Sequence, residues 1–171
     1  GMISRSWLDR PLSVAGRAVV RTEGGLAVRL VNVDRDLLVI PSVAIHLDRE
    51  VNKGTALKAN ADLLPILGGE KGKNFTEIIA GSLGIEAENV VATDLFLYPR
   101  TPASLLGAEE ELVGGARLDD LQCAFGCFEG FLQAEEGASI PLFCLFDHEE
   151  VGSGSRQGAD STFLQDVTGR I

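Results

Sequence analysis

The sequence predicts a mixed α+β and α/β chain in two parts: a β-rich domain over residues 6–115 and a helix–strand–helix piece over residues 116–171. Three observations carry that reading. Two segments rich in small and β-branched residues flank Glu23-Gly24-Gly25, the composition of a hairpin turn. Only one capped amphipathic helix signal, near residue 75, interrupts the first part. Beyond Gly114-Gly115 the pattern changes to a long helix period followed by a nearly unbroken apolar run.

The elements follow in order. Residues 12–33 read as a β-hairpin whose returning arm sets Leu26, Val28 and Leu30 on one face. Residues 37–40 read as a short strand stopped by Pro41. Residues 52–60 turn polar around Gly54 and predict a loop. Residues 63–67 are a short apolar piece broken by Pro65, and the Gly- and Lys-rich stretch 68–73 is expected to be mobile. Asn74 with Glu77 three residues on forms a capping box ahead of Phe75, Ile78, Ile79 and Leu83, which share a helical face, and Gly84 ends the helix. Residues 90–98 read as a strand, and residues 99–115 as a loop running through Glu109-Glu110-Glu111.

In the second part, Leu118, Leu121, Phe125, Phe128 and Leu132 mark an amphipathic helix of about five turns. Residues 140–146 have the composition of a strand buried on both faces. Residues 159–167 look helical. There is no internal repeat and no low-complexity segment. Gly1-Met2 reads as a leftover residue ahead of a start methionine and is left out of the fold reading.

Composition narrows the function classes. The chain has 171 residues, 45% hydrophobic and 23% charged, which fits a globular protein and not a disordered one. Its 25 acids against 15 bases leave a net charge of −10, which argues against nucleic acid and against an anionic membrane as partner. The apolar runs are strand-sized, far short of the ~20 residues that span a bilayer. No secretory leader is evident at the start. The three cysteines, Cys123, Cys127 and Cys144, are an odd number, so they read as plain buried thiols in a reducing cytoplasm and not as a disulfide framework. Cys123 and Cys127 would share a helix face, but no third soft ligand lies nearby.

Chemistry concentrates where the apolar run ends. In an open α/β sheet, ligands bind beyond the carboxyl ends of strands. Asp147, Glu149 and Glu150 fall at such an end, and Asp119 opens the preceding helix. Carboxylates gathered there call for a cation, and a metal hydrolase needs one carboxylate on the metal and a neighbour to take a proton from water. The plainer alternative is that these acids simply favour the start of the next helix. Ser153 and Ser155 lack the frame of a nucleophile elbow, and the Gly-rich stretch lacks the Lys-Ser/Thr pair of a phosphate loop. Trp7 reads as a core or interface anchor, and Asp9 with Arg10 as a structural charge pair. His46, between Ile45 and Leu47, is on pattern alone a partly buried structural residue.

Four segments together resemble the aspartyl aminopeptidase family of dinuclear zinc exopeptidases. They are Ser6-Trp7-Leu8-Asp9-Arg10-Pro11-Leu12 with Ala15-Gly16-Arg17; Ile40-Pro41-Ser42-Val43-Ala44-Ile45-His46-Leu47-Asp48-Arg49 with Asn52; Gly115-Ala116-Arg117-Leu118-Asp119-Asp120-Leu121; and Leu145-Phe146-Asp147-His148-Glu149-Glu150-Val151-Gly152-Ser153 with Gln157-Gly158-Ala159. The resemblance implies that Asp119 bridges two zinc ions, that Glu150 is a terminal ligand of one, and that Glu149 is the general base. It implies that His46 reaches the active site of a neighbouring subunit and takes part in substrate binding. Residues 6–115 then correspond to a β-rich lid and dimerisation domain, and residues 116–171 to part of an αβα catalytic domain. The implied reaction is removal of an N-terminal residue, typically acidic, from a peptide by a cytoplasmic homo-oligomer. Such sites accept zinc, cobalt or manganese.

The departures are informative. Asp120 and His148 stand where the family commonly has Asn, Glu110-Glu111 is more acidic than its counterpart, and residues 54–74 are shorter. By the resemblance, one zinc histidine lies upstream and two further ligands downstream of these residues. The expectation is therefore a fragment that binds zinc weakly or not at all and shows no activity by itself. The alternatives are a non-catalytic oligomerisation or lid module, or an inactive homologue.

Overall fold

A computed structural model describes residues 3–135 and 137–171. Gly1 and Met2 lie outside the described residues. The chain divides into two compact units, Ile3–Gly114 and Gly115–Ile171.

The first unit is built on an antiparallel sheet of β1 (Leu12–Thr22), β2 (Gly25–Asn32) and β3 (Val90–Pro99) in the order β2-β1-β3. The hairpin register runs from Ala15 opposite Asn32 to Thr22 opposite Gly25, with a two-residue turn at Glu23-Gly24. Gly25 enters β2 at φ 113°, a backbone conformation that favours glycine. β1 pairs with β3 from Leu12–Pro99 to Val20–Val90, with one irregularity between Val19 and Val20.

One face of β1 supplies half of the core cluster. Leu12, Val14, Ala18 and Val20 pack with Val31, Leu38, Ile40 and Ile79. The missing member of that alternating row is Gly16, which lies against the carbonyl of Asp94 so closely that a Cβ would overlap it. Each fully buried aliphatic side chain here contributes roughly 1.5–3 kcal/mol. Trp7 is half-buried against this core.

After the short helix α1 (Ala59–Asp62), helix α2 (Phe75–Leu83) covers the sheet with Ile79 and Ala80. Its capping box is complete. Glu77 N donates to Asn74 Oδ1 at 2.8 Å, and Asn74 N donates to Glu77 Oε2 at 3.1 Å. Gly84, at φ 66°, ends it.

Three readings of this unit change. Residues 37–40 form no strand of their own, only isolated bridges from Leu38 to Leu12 and from Val39 to Ile66, because Pro41 and Pro65 interrupt any longer ladder. The expected loop 99–115 contains a hairpin of β4 (Ser104–Leu106) and β5 (Leu112–Gly114), too short to show a period in sequence. The carboxylate of Asp9 is bound by Ser42 instead of pairing with Arg10.

In the second unit, α3 (Leu118–Leu132) is shorter than the five turns expected, since Asp119 is extended at φ −86°, ψ 115° and true helix starts after it. Residues 140–146 form no strand. Among the described residues they have no ladder partner, and Ile140 is 88% exposed. The run is held through Phe143, whose ring meets Phe128 and Phe131 at 5.4 and 5.8 Å between centroids. The expected helix over 159–167 is limited to α4 (Phe163–Thr168). The three cysteines are free and exposed, not buried, because among the described residues of this unit no second layer covers the apolar face of α3, where Phe125 is 64% exposed.

Candidate active site

Two segments of the second unit carry the acidic residues. In the first, Arg117 takes a left-handed conformation at φ 63°, Asp119 is extended, the Asp119–Asp120 peptide is cis, and the helix begins. Both carboxylates therefore stand at the N-terminal end of α3, where helix polarity favours negative charge.

In the second, the extended run 140–146 ends at Asp147, whose amide donates to the carbonyl of Gln157 at 3.0 Å. His148 follows at φ 64°, and Glu149–Val151 forms one 3-10 turn closed by Gly152 at φ 97°. Gly152 N donates to Glu149 O at 2.9 Å, and Ser153 N to His148 O at 2.9 Å. Gly158 is buried against the Ser153 carbonyl so tightly that any Cβ would overlap it. The Gly-rich residues thus close a small backbone loop, not a phosphate cradle, and Glu149 and Glu150 open the 3-10 turn within it.

The electrostatics bring the two segments together. Asp120 is pushed up to about 6, first by its hydrogen bond with Asp119, then by the charge of Asp119, by desolvation, and by the charges of Glu149 and Glu150. Glu149 and Glu150 therefore lie within electrostatic reach of the Asp119–Asp120 pair. The group that gives way is Asp120.

These residues fit a metal centre in kind and fall short in number. Carboxylate oxygens suit a divalent cation. Among the described residues, however, no three His, Cys, Asp or Glu side chains gather in a set able to hold a metal ion. His46 is exposed on a turn of the first unit, four residues beyond Ser42.

Sequence reasoning missed one contact. His148 Nδ1 lies 2.6 Å from Ser155 Oγ, and His148 Nε2 lies 3.6 Å from Asp147 Oδ2. No motif encodes this spacing, so only the folded loop reveals it.

Comparison with known proteins agrees along the whole chain. Residues 1–171 match the family profile described as aminopeptidase I zinc metalloprotease (M18). A probable M18 family aminopeptidase 2 of Clostridium acetobutylicum is 39% identical over 178 residues, covering 100% of this chain and 41% of that protein. Its counterpart in Azotobacter vinelandii is 38% identical over 179 residues with the same coverage. The chain thus spans about 41% of the length of these curated relatives. Among solved structures, Chaetomium thermophilum mApe1 aligns with a TM-score of 0.81 at 28% identity, over 100% of this chain and 43% of that one. A chain of the Ape4–Nbr1 complex aligns with a TM-score of 0.80 at 33% identity, over 100% of this chain and 38% of that one. With the match extending over every residue, the chain belongs to the M18 family of aminopeptidase I zinc metalloproteases.

Proposed function

We propose that this chain is part of a zinc-dependent aminopeptidase that removes N-terminal residues, acidic ones by preference, from peptides. The observation that carries the reading is the pairing of Asp119 with Asp120 at the start of α3, within electrostatic reach of Glu149 and Glu150. Asp119 would bridge two zinc ions and Glu150 would bind one of them. Zinc supplies Lewis-acid polarisation and makes water a better acid.

The chain's own residues do the rest. Glu149 accepts a proton from the attacking water at its carboxylate and delivers it to the leaving amine. Asp120, hydrogen-bonded to Asp119, fixes the direction of the Asp119 oxygens. His46 contacts the substrate in a neighbouring subunit, so residues 40–48 lie near a dimer contact. A solved S. cerevisiae mApe1 is a dodecamer, and we place this chain in a homo-oligomer too, as a dimer when it stands by itself. Its free cysteines are consistent with a reducing cytoplasm. Among the described residues no helix is long and apolar enough to cross a membrane.

The 171 residues by themselves should be inactive, because a dinuclear centre needs roughly three or more protein ligands per ion. Residues 6–115 serve as the lid and dimerisation domain, and residues 116–171 as part of the catalytic domain. The shortage of ligands within the chain is also what a non-catalytic lid module or an inactive homologue would show. Zinc content and release of N-terminal Asp or Glu, measured on a longer protein carrying these residues, separate the readings. Two zinc ions per chain with activity, both lost in Asp119→Asn, support the enzyme. Zinc-free, inactive protein contradicts it.

A further inference from the structure

We propose that His148 is a positioning residue for Glu149 and Glu150, and that it acts through the hydroxyl of Ser155. The proposal rests on the reading of those glutamates given above. His148 stands at the joint between the extended run and the glutamate turn. Its backbone takes the left-handed conformation, and its carbonyl accepts from Val151 N at 3.3 Å and from Ser153 N at 2.9 Å. A side chain fixed at this residue therefore fixes the peptide from which both glutamates leave.

Ser155 supplies the fixing contact from the far side of the loop, at 2.6 Å from Nδ1. Ser155 is half-buried, and its carbonyl accepts from Gly158 N at 3.0 Å, so the hydroxyl sits on an ordered turn. The carboxylate of Asp147, 3.6 Å from Nε2, favours the ring proton on Nε2. Nδ1 is then the acceptor and the serine hydroxyl the donor. Asp147 is held in turn, since its Oδ1 accepts from His148 N at 2.8 Å and its amide donates to Gln157. The ring is thus hydrogen-bonded at Nδ1 and faces a carboxylate at Nε2, both from residues that also close the backbone loop. Asn shares the tolerance for left-handed backbone, but its shorter side chain does not reach as far as an imidazole. The hydroxyl at Ser155 is accordingly matched to His at residue 148.

The test leaves residue 148 unaltered, so that backbone strain does not enter. The chain has two histidines, which makes ring ¹⁵N signals simple to assign. In the 171-residue chain, His148 should show the Nε2–H form. Ser155→Ala should move it toward a mixture of tautomers and speed amide exchange at Gly152 and Ser153 about tenfold, the loss of one hydrogen bond. Ser155→Thr should restore both, and His46 should not respond. An unchanged His148 pattern and unchanged exchange in Ser155→Ala would overturn the proposal. In a longer, zinc-loaded protein carrying these residues, Ser155→Ala should lower kcat about 10- to 100-fold with KM nearly unaltered. Full kcat in that variant would refute the positioning role. Inactive wild-type protein would instead count against the peptidase reading, while the ring signals and exchange still decide whether His148 and Ser155 hold the turn.

Discussion

Asp9 takes both hydrogen bonds that Ser42 can donate: the Ser42 amide reaches Oδ1 at 2.8 Å, and the Ser42 hydroxyl reaches Oδ2 at 2.7 Å. The Asp9 amide itself donates to Ile40 O at 2.9 Å. The segment around Trp7 is thereby tied to the start of the stretch that carries His46.

This tie sets a pH dependence. The Ser42 amide and then its hydroxyl hold the Asp9 carboxyl below its ordinary value of 3.8. A depressed acid stabilises the fold above its unfolded pKa and ceases to do so as pH falls through the folded one. Asp9→Asn should therefore be less stable than wild type by about 1 kcal/mol at neutral pH. The gap should close as pH drops below 3.8. Urea denaturation at several pH values measures it, and a gap that widens in acid would contradict the account.

Gly16 is required by the sheet. A Cβ there would meet the Asp94 carbonyl, a backbone atom that cannot swing aside. Gly16→Ala should cost roughly 1–3 kcal/mol, the range for forced overpacking, whereas Gly25→Ala, with nothing near its Cβ, should be limited to the strain of its φ of 113°. Thermal melts of the two variants make the comparison.

Helix α2 depends on its cap and on one side chain. Asn74→Ala removes the acceptor for Glu77 N and should cost about 1 kcal/mol. Ile79→Ala, at a fully buried residue, should cost roughly 2–5 kcal/mol. Equal losses in the two variants would mean that α2 is not docked as described.

The same contrast explains what was legible in the sequence. The 12–33 hairpin and α2 could be read because Glu23-Gly24-Gly25 and Asn74 with Glu77 act locally. The hairpin of Ser104–Leu106 with Leu112–Gly114 could not, since three residues show no period. Residues 140–146 have a strand's composition, but a ladder needs a neighbour that composition does not supply. At the site, the identities of Asp119, Glu149 and Glu150 came from motifs. The rise in the Asp120 pKa comes first from its neighbour Asp119, and only the smaller share from Glu149 and Glu150 depends on the fold, because α3 and the glutamate turn lie far apart along the chain. His148 and Ser155 carry no sequence signal of their contact at all.

On the proposed assignment the chain by itself would offer only Asp119 and Glu150 as ligands, too few for two ions. Calorimetric titration of the 171-residue chain with zinc should show no stoichiometric submicromolar binding, and Asp119→Ala should change the trace little. Tight binding of two ions, lost in Asp119→Ala, would show that these residues complete a centre unaided.

The central claim is that Glu149 moves the proton while Asp119 and Glu150 hold the metal. The most direct measurement is kcat and zinc content of Glu149→Gln in a longer protein carrying these residues. The account predicts two zinc ions retained and kcat reduced about 10²- to 10⁴-fold. Wild-type kcat in that variant, or loss of zinc in place of loss of turnover, would contradict it.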